Sequence, residues 1–292
     1  MTYGEDRDVH RTGLVLEGGS FRGIFTAGVL DYLMEQNIAF PYIVGVSAGA
    51  GNAINYVSGQ KGRTQKVIMH ENADPYYGIG QMYRNRSRKI LDLDTMLYTY
   101  AYSQIPFDFQ AYFRGGVECE FVVANCQKGI AEYLKPDGTE DQLLQLCKAS
   151  CSVPLICDPV KLGEYQYLDG SIIDSVPIMH ALTNCRKAVV ILTRKEGENP
   201  TDYSRMKMLV NVTYRSKYPR MATALLKRKD VYEKQMEDLR EMERMGKVFI
   251  IRPTQAGIGH FENNPEKLGS FYQHGIDVMK QEMERLRGFL SE

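Results

Sequence analysis

A serine between two glycines, in the segment Gly45-Val-Ser-Ala-Gly49, has the spacing of a nucleophile elbow. In such an elbow a strand ends at the serine and a helix begins directly after it, so that the hydroxyl projects from a sharp turn. Here the apolar run Tyr42–Val46 predicts a strand, and the small residues Ala48–Val57 predict a helix. Because so short a motif also arises by chance, it indicates either a nucleophile at Ser47 or a plain glycine-rich turn.

A second glycine-rich segment, Gly18-Gly-Ser-Phe-Arg-Gly23, follows a predicted strand at Gly13–Glu17 and opens a predicted helix from about Arg22 to Gln36. It is not a Walker A loop, because Ile24-Phe25 occupies the Lys-Ser/Thr positions, and its glycine spacing differs from the dinucleotide fingerprint. Glycines at a helix N-terminus let backbone N–H groups point at an anion, as an oxyanion hole requires. Arg22 is expected to add charge or to hold the loop by hydrogen bonds. A tight turn at the helix start explains the glycines but gives Arg22 no role.

A third motif, Asp169-Gly170, lies far along the chain, within the stretch Leu168–Pro177. With the glycine-rich loop, the serine elbow and the Asp-Gly pair in this order, the sequence resembles the patatin-like phospholipase family. The resemblance covers roughly Gly13 to Thr193. A looser resemblance, over Tyr203–Pro253 and the C-terminal helix, is to a bacterial subgroup of patatin-like predicted esterases.

The resemblance implies a serine acyl hydrolase that cleaves fatty-acyl esters of lipids: phospholipids, lysophospholipids or other carboxyl esters. It implies that Ser47 attacks the acyl carbonyl and that Asp169 takes the proton directly, with no histidine between them. An acyl-enzyme then forms and water releases the fatty acid, with no metal and no cofactor. The backbone N–H groups expected to hold the oxyanion are those of Gly18, Gly19 and Ser20. The supporting positions are Arg22, Gly23, Gly45, Gly49 and Gly170.

Two residues depart from the family pattern. Ser20 stands in the loop where glycine is common, and Ser171 follows Asp169-Gly170 in place of glycine or alanine. If the loop requires a positive φ at position 20, Ser20 is strained there. Neither departure removes a required functional group, so we still expect an active enzyme.

Three other interpretations fit the same residues. An α/β-hydrolase triad would combine Ser47 and Asp169 with His180 or His260, in the chain order that such enzymes use. An acyltransferase would pass the acyl group from the same serine to an acceptor other than water. A chain that keeps the fold without catalysis would bind lipid or act as a scaffold.

Composition narrows the class of protein. The 292 residues carry 36 Lys+Arg and 36 Asp+Glu, which argues against a dedicated nucleic-acid binder. Met1–Thr12 has no apolar signal-peptide core, and turn residues interrupt the uncharged stretch Gln36–Gln60, which favours a strand–turn–helix over a membrane span. The six cysteines form no C-x-x-C pair, which favours reduced thiols. We therefore expect a cytoplasmic protein.

Two stretches bear on substrate and membrane. The aromatic stretch Tyr98–Phe113 is expected to pack on the core, to form an apolar groove or lid for an acyl chain, or both. Arg205–Lys229 contains eight basic residues and no acidic one, and indicates either a solvated helix face or peripheral contact with an anionic membrane. The eight are Arg205, Lys207, Arg215, Lys217, Arg220, Lys227, Arg228 and Lys229.

Strands alternate with helices along the chain, which predicts an α/β protein with three α/β/α layers and a mostly parallel central sheet. Further strands are predicted at 118–126, 130–134, 165–168, 187–193 and 247–252, and further helices at 139–150, 177–183, 202–217, 219–245 and 268–290. Asp94 is expected to cap a short helix, and Asp174 to cap the turn after Asp169. The predicted organisation is a catalytic domain at 1–255, including a helical segment at 202–245, and a C-terminal helical extension at 256–292.

Overall fold

The computed structural model describes residues 10–69 and 91–291, so that His70 and the basic run Arg84–Lys89 lie outside the described residues. Within those ranges, eight strands form one sheet. The strands are β1 (His10–Leu16), β2 (Tyr42–Val46), β3 (Glu118–Asn125), β4 (Ile130–Leu134), β5 (Val160–Leu162), β6 (Tyr165–Asp169), β7 (Cys185–Ile191) and β8 (Val248–Ile251).

The helices are α1 (Gly23–Glu35), α2 (Ala48–Val57), α3 (Arg63–Ile68), α4 (Thr95–Gln104, with wide π-type turns), α5 (Phe109–Arg114), α6 (Glu140–Ser150), α7 (Ile178–Asn184), α8 (Lys207–Tyr214), α9 (Pro219–Arg244) and α10 (Pro265–Ser291). Five of the helices, α1, α2, α6, α7 and α9, begin and end close to the predicted positions. Short 3₁₀ turns occupy Ser20–Arg22, Gly170–Ile172 and Tyr203–Met206.

The sheet has the order β5-β6-β3-β2-β1-β7-β8, with β4 paired to β3 outside this path. The neighbours from β3 to β8 in this order run parallel, whereas β4, β5 and β6 pair antiparallel. Parallel strands bring their carboxyl ends to one edge of a sheet, where α/β proteins bind ligands. The loops that follow β1, β2 and β7 therefore meet at a single edge.

Successive residues of the central strands face opposite helical layers. Leu14 and Leu16 of β1 pack into one core with α1, α2 and α10, whereas Val15 packs into a second core with α7 and α9. Strands buried on both faces are typical of a parallel sheet between two helical layers. The predicted three-layer α/β/α fold is thereby confirmed.

The pairing of β3 explains how two distant segments come together. β4 pairs with residues 121–125 of β3 and so occupies one of its two edges. The other edge is shared by β2 and β6. β2 pairs with β3 up to Val46, opposite Val122, and β6 pairs with the next residues of β3, with its last residue, Asp169, opposite Val123. As a result, the residue after Val46 and the last residue of β6 lie side by side.

The C-terminal helix packs on α1 with close backbone contact. A Cβ atom added to Gly28 would lie 2.1 Å from the Tyr272 carbonyl oxygen, and one added to Gly275 would lie 2.2 Å from that of Phe25. Any larger residue at these positions would separate α10 from α1. In residues 10–69 and 91–291, no helix has both the length and the apolar character that a membrane span requires.

Three local predictions require correction or addition. Asp92, not Asp94, supplies the capping carboxylate at α4: its Oδ1 accepts from the backbone N–H groups of Asp94 and Thr95 at 3.1 Å each. The helix predicted at 202–217 is a 3₁₀ turn followed by the shorter α8, because the carboxylate of Asp202 caps the turn at Ser204. The short elements β5, α3 and α5 carry too little periodicity to be predicted.

Candidate active site

Ser47 occupies the sharp turn between β2 and α2. Its backbone has φ 54° and ψ −121°, a conformation that a non-glycine residue adopts only when its surroundings impose it. Two residues at the end of α6 do so: the Ser47 N–H donates to Ser150 Oγ at 2.8 Å, and Cys151 Sγ donates to the Ser47 carbonyl at 3.2 Å. The predicted elbow is therefore present, and its distant supports at 150–151 had no signal in the sequence.

The two glycines of the elbow allow three backbone segments to approach each other. A Cβ atom at Gly49 would lie 2.3 Å from the Leu16 carbonyl oxygen, and one at Gly45 would lie 2.7 Å from the Gly49 carbonyl oxygen. No side chain fits at Gly49 without moving β1 away from α2, or at Gly45 without moving β2 away from α2. The same close fit applies at Gly23, against Ala48, and at Gly170, against the Val122 carbonyl.

Asp169 ends β6 and is 3% exposed. Its Oδ1 accepts from the Ser171 N–H at 2.8 Å, and its own N–H donates to the Ser152 carbonyl at 2.9 Å. Burial raises the pKa of this carboxyl, and hydrogen bonds from Ser47 and Ser171 and the charge of Arg228 oppose the rise without cancelling it. The Ser47 side chain interacts with the Asp169 carboxyl, so the structure brings the two predicted catalytic residues together.

The glycine-rich loop lies beside Ser47. Gly18 packs so closely that an added Cβ would lie 3.0 Å from Ser47 Cβ, and Gly19 and Ser20 line the same cavity as Ser47 and Asp169. Within the described part of the chain, no protein group accepts a hydrogen bond from the N–H groups of Gly18, Gly19 or Ser20. These donors are available to an oxyanion.

A buried network that the sequence did not reveal holds this loop. The Glu17 carboxylate accepts from the Thr193 N–H at 2.6 Å and from the Tyr232 hydroxyl at 3.0 Å, and forms a short ion pair with Arg194. Thr193 Oγ1 in turn donates to the Gly18 carbonyl at 3.0 Å. In the sequence, the only signal for this network was Glu17, a charged residue directly after an apolar strand.

Arg22 anchors the loop from its other side. Its Nε donates to the Ile258 carbonyl at 2.8 Å, and the next residue back, Phe21, donates its N–H to the His260 carbonyl at 3.0 Å. The predicted role of Arg22 in holding the loop by hydrogen bonds thus has a partner in the segment that precedes α10.

Ser20 adopts φ 52°, the left-handed conformation that glycine accepts at lower cost. We expect Ser20→Gly to raise the free energy of unfolding by about 0.5–1 kcal/mol, because relief of this strain exceeds the added entropy of the unfolded chain. Ser103→Gly, inside α4, is the matched control and should lower it by about 1 kcal/mol. Chemical denaturation of wild type and the two variants measures both changes in the free energy of unfolding. A Ser20→Gly variant less stable than wild type would show that Ser20 is not strained.

The two histidines of the alternative triad lie in different places. His180 Nε2 pairs with Glu120 Oε2 at 2.6 Å, near the amino end of β3 and thus at the edge opposite Ser47. His260 lines the cavity with Ser47 and Asp169, but burial and the charges of three arginines, not Asp169, set its pKa, which is lowered to about 4. Within the described residues, neither imidazole bridges Ser47 and Asp169.

Two cavities meet at Ser47. The first is apolar and is lined by Leu93, Leu97, Phe107 and Leu144, among others. The second is more polar and lies on the Asp169 side, with Arg194, Arg228, Tyr203 and His260 in its wall. Phe261 borders both. In the described ranges, no group of three or more His, Cys, Asp and Glu side chains is arranged to hold a metal ion.

The remaining sequence predictions have mixed outcomes. The aromatic stretch Tyr98–Phe113 both packs on the core and lines a cavity. Phe109 and Tyr112 are buried in the core, while Phe107 also borders the apolar cavity. The Asp174 carboxylate accepts from the hydroxyl of Tyr133 and from Gln235 Nε2, each at 2.6 Å, so it also ties the turn after Asp169 to β4 and α9.

Comparison with known proteins agrees with this architecture. The crystal structure of VipD from Legionella pneumophila superposes on 97% of this chain and 67% of that chain, with a TM-score of 0.50 and 13% identity, a likeness of fold alone. An Escherichia coli (strain K12) protein of uncharacterized activity, YjjU, is 33% identical over 194 residues, which is 62% of this chain. The chain spans about half of that relative's length, 51%.

Two family models match separate parts of the sequence. The model of a domain of unknown function, DUF6363, matches residues 218–291, which include α9 and α10. The model described as patatin-like phospholipase matches residues 14–182, a span that contains the glycine-rich loop, Ser47 and Asp169. The chain therefore belongs to the patatin-like phospholipase family.

Proposed function

We propose that the protein is a serine acyl hydrolase that cleaves fatty-acyl esters of lipids with a Ser–Asp dyad. The observation that carries the proposal is the interaction of the Ser47 side chain with buried Asp169, beside loop N–H groups that donate to no protein group among the described residues. A nucleophile, a base and oxyanion donors around one cavity are the parts that acyl transfer requires.

In the proposed mechanism Ser47 Oγ attacks the acyl carbonyl carbon, and its proton passes to Asp169. The loop N–H groups of Gly18, Gly19 and Ser20 stabilise the negative oxygen of the tetrahedral intermediate. When the ester bond breaks, Asp169 returns the proton to the leaving alkoxide, which departs as an alcohol. Water then attacks the acyl-enzyme with Asp169 as base, and the fatty acid and free Ser47 result.

The electrostatics of Asp169 support its assignment as the base. Burial raises its pKa, which makes the carboxylate a stronger proton acceptor than an exposed aspartate. The hydrogen bond from the Ser171 N–H and the nearby cation Arg228 favour the ionised form and limit this rise. Asp169 is therefore expected to accept a proton from Ser47 more readily than an exposed aspartate would, while Ser171 and Arg228 stabilise its ionised form.

The apolar cavity supports a fatty-acyl substrate. Its walls include aliphatic side chains from α2, α4 and α6 and the rings of Phe107 and Phe261, and Ser47 also lines it. A long hydrocarbon chain buried here would leave its carbonyl at the serine, and each buried CH₂ group adds about 0.8 kcal/mol of favourable transfer free energy. Membership of a phospholipase family agrees with such a substrate.

A fluorophosphonate with an alkyl chain tests the nucleophile. We expect one covalent adduct per chain, on the peptide that contains Ser47, because the reagent mimics the tetrahedral intermediate and needs an activated serine. Mass spectrometry of the digested protein locates the adduct, and Asp169→Asn should slow labelling. An adduct on another serine, or none, would favour the non-catalytic lipid-binding alternative. Adding an alcohol acceptor during ester turnover separates hydrolysis from acyl transfer.

The surface of α8 supports contact with an anionic lipid surface. Met208, Leu209 and Val212 are 79%, 51% and 77% exposed, and Met208, Val212 and exposed Arg215 recur at the spacing of one helix face. The basic stretch contributes exposed Arg205, Lys207, Arg215, Lys217, Arg220 and Lys227. Arg228 is buried and so does not belong to this surface, which corrects the eight-residue prediction. Leu209 also lines the polar cavity, so lipid bound at α8 lies beside the site.

We expect Met208→Ser with Val212→Ser to weaken binding to vesicles that contain anionic lipid by about 10- to 100-fold, since two apolar side chains no longer enter the interface. Sedimentation at low salt measures the bound fraction. Met179→Ser with Met245→Ser is the matched control, because both methionines are 64% exposed but lie away from α8. Equal binding of wild type to neutral and anionic vesicles would contradict the charge contribution.

A further inference from the structure

The inner face of α9 carries three polar side chains at positions where a packed helix normally presents apolar ones. Arg228, Tyr232 and Gln235 follow each other at intervals of four and three residues, which places them on one side of the helix. Arg228 and Tyr232 are 8% and 2% exposed. Gln235 Nε2 donates to Asp174 Oδ1 at 2.6 Å, in the turn that follows Asp169. This helix face is therefore directed at the candidate site.

The other two side chains reach both halves of that site. The Tyr232 hydroxyl donates to Glu17 Oε1 at 3.0 Å, and the Glu17 carboxylate belongs to the network that holds the glycine-rich loop. Arg228 Nε donates to the Ser171 carbonyl at 2.8 Å, and its Nη2 donates to Ser171 Oγ at 3.2 Å. One helix thus contacts the supports of the oxyanion loop and of the Asp169 turn.

Ser171 links Arg228 to the proposed base. Its N–H donates to Asp169 Oδ1 at 2.8 Å, and its side chain favours the ionised carboxylate. Ser171 stands where the family pattern has glycine or alanine, so that pattern lacks the hydroxyl that Arg228 contacts. The departure from the pattern thus has a partner on α9.

The charge of Arg228 acts on the same carboxyl. It lowers the pKa of Asp169, against the rise that burial causes. Both residues are buried, so salt and water screen little of this interaction. Other ionisable groups also face Asp169 or the cavity that it lines. They are Cys151 at the end of α6, Tyr203 in a 3₁₀ turn, and Arg194 and His260 in the cavity wall.

These contacts come from the part of the chain beyond the patatin-like match. The patatin-like phospholipase model ends at residue 182, whereas Arg228 and Tyr232 lie in the region 218–291 that the DUF6363 model matches. The carbonyl groups of residues 258 and 260, in the same region, accept hydrogen bonds from the glycine-rich loop. The region therefore packs against the catalytic segments themselves.

We propose that Arg228 is a positioning residue that, through Ser171, holds the carboxylate of Asp169 in place and stabilises its negative charge, so that the region 218–291 completes the catalytic site. This inference rests on the proposed function, because it takes Asp169 as the base. The hydrogen bonds to Ser171 hold the turn, whereas the guanidinium charge acts on the carboxylate. Substitution separates these two effects.

The test measures the pH dependence of kcat/KM for a chromogenic short-chain ester. We expect Arg228→Met to lower kcat/KM at neutral pH by about 10- to 100-fold, because the base is no longer held in its productive position. The acid limb should also move to higher pH by about one unit, since the carboxylate loses a neighbouring cation. Arg228→Lys should return the limb close to its wild-type position, because the charge is kept, but should restore only part of the rate. Arg240→Met, at an exposed arginine of the same helix, is the matched control and should change neither.

A purely structural role gives a different result. If Arg228→Met and Arg228→Lys lower the rate equally and neither moves the limb, Arg228 only supports the turn and the inference is overturned. Because Arg228 also lowers the pKa of His260, the comparison is repeated in His260→Ala, where the shift of the limb should persist. Loss of the shift in that background likewise overturns the inference. If Arg228→Met does not fold, Ser171→Ala replaces it: a limb moved to higher pH supports the inference, and an unmoved limb rejects it.

Failure of the proposed function is distinguishable from failure of this inference. If wild type shows no Ser47-dependent turnover, the proposed function fails, and titration of the Asp169 carboxyl carbon by NMR tests the contact directly. The Asp169 signal is identified by its absence from the spectrum of Asp169→Asn. A higher pKa of Asp169 in Arg228→Met than in wild type and Arg228→Lys supports the inference, and equal pKa values in the three proteins reject it.

Discussion

Ser47→Ala is expected to lower kcat/KM for a fatty-acyl ester by about 10⁴-fold or more, because removing the nucleophile of an acyl-transfer enzyme leaves only binding and oxyanion stabilisation. The methyl group of alanine fits where the hydroxymethyl group lies, since Ser47 is held through its backbone by Ser150 and Cys151. The variant should therefore fold with wild-type stability. Hydrolysis of a chromogenic short-chain ester, followed at saturating and subsaturating concentrations, measures the loss.

The matched control is Ser103→Ala, at an exposed serine whose hydroxyl donates to the Thr99 carbonyl of its own helix. It should retain wild-type kcat/KM. If Ser47→Ala retains activity within ten-fold of wild type, the acyl-enzyme mechanism on Ser47 is wrong. If wild type itself shows no turnover, the protein is better regarded as a lipid-binding protein.

The parts of this site that lie within one βα unit could be predicted from the sequence. The apolar run before Ser47 and the small residues after it gave β2 and α2 with their observed bounds. The glycines at 45 and 49 carried the signal because close backbone approach admits no other residue. Thr139 likewise caps α6 as the capping-box pattern indicates, with its hydroxyl accepting from the Gln142 N–H at 3.3 Å.

The parts that depend on contacts between distant segments could not be predicted in the same way. Asp169 was found only through resemblance, because its place beside Ser47 follows from two strands sharing one edge of β3. Ser150 reaches Ser47 across 103 positions, and Arg194 reaches Glu17 across 177. No local pattern encodes such pairs, since each residue reads as an ordinary helix or strand end. His260 and Phe261, which form part of the wall of the polar cavity, lie in the segment predicted as a C-terminal extension.

The predicted dyad and the alternative triad differ in what they require of the imidazoles. A triad needs a histidine between Ser47 and Asp169, whereas the Ser47 side chain acts on Asp169 itself and, within the described residues, no histidine bonds to both. His260 lines the cavity, so its role as a base has to be tested. Its low pKa makes it a weak base at neutral pH. The positive charges of the arginines around His260 oppose its protonation, which a general base requires.

Asp169→Asn is expected to lower kcat/KM by about 10²- to 10⁴-fold, because the amide keeps the shape of the side chain but cannot accept the Ser47 proton. In wild type, kcat/KM should fall as the pH is lowered through the pKa of Asp169, since the protonated carboxyl cannot act as base. Burial raises that pKa above its usual 3.8, so the acid limb should lie above the pH at which an exposed aspartate titrates. The Asn variant should lack this limb.

His260 makes the control for that limb necessary, because its own pKa of about 4 falls in the same pH range. His260→Ala and His180→Ala should both retain the acid limb and most of the activity if Asp169 is the base. A loss of activity in His260→Ala as large as that in Ser47→Ala, with disappearance of the limb, would instead assign the base to the imidazole. Circular dichroism at each pH restricts the comparison to folded protein. The pH profile, rather than the size of the loss alone, therefore identifies which group takes the proton.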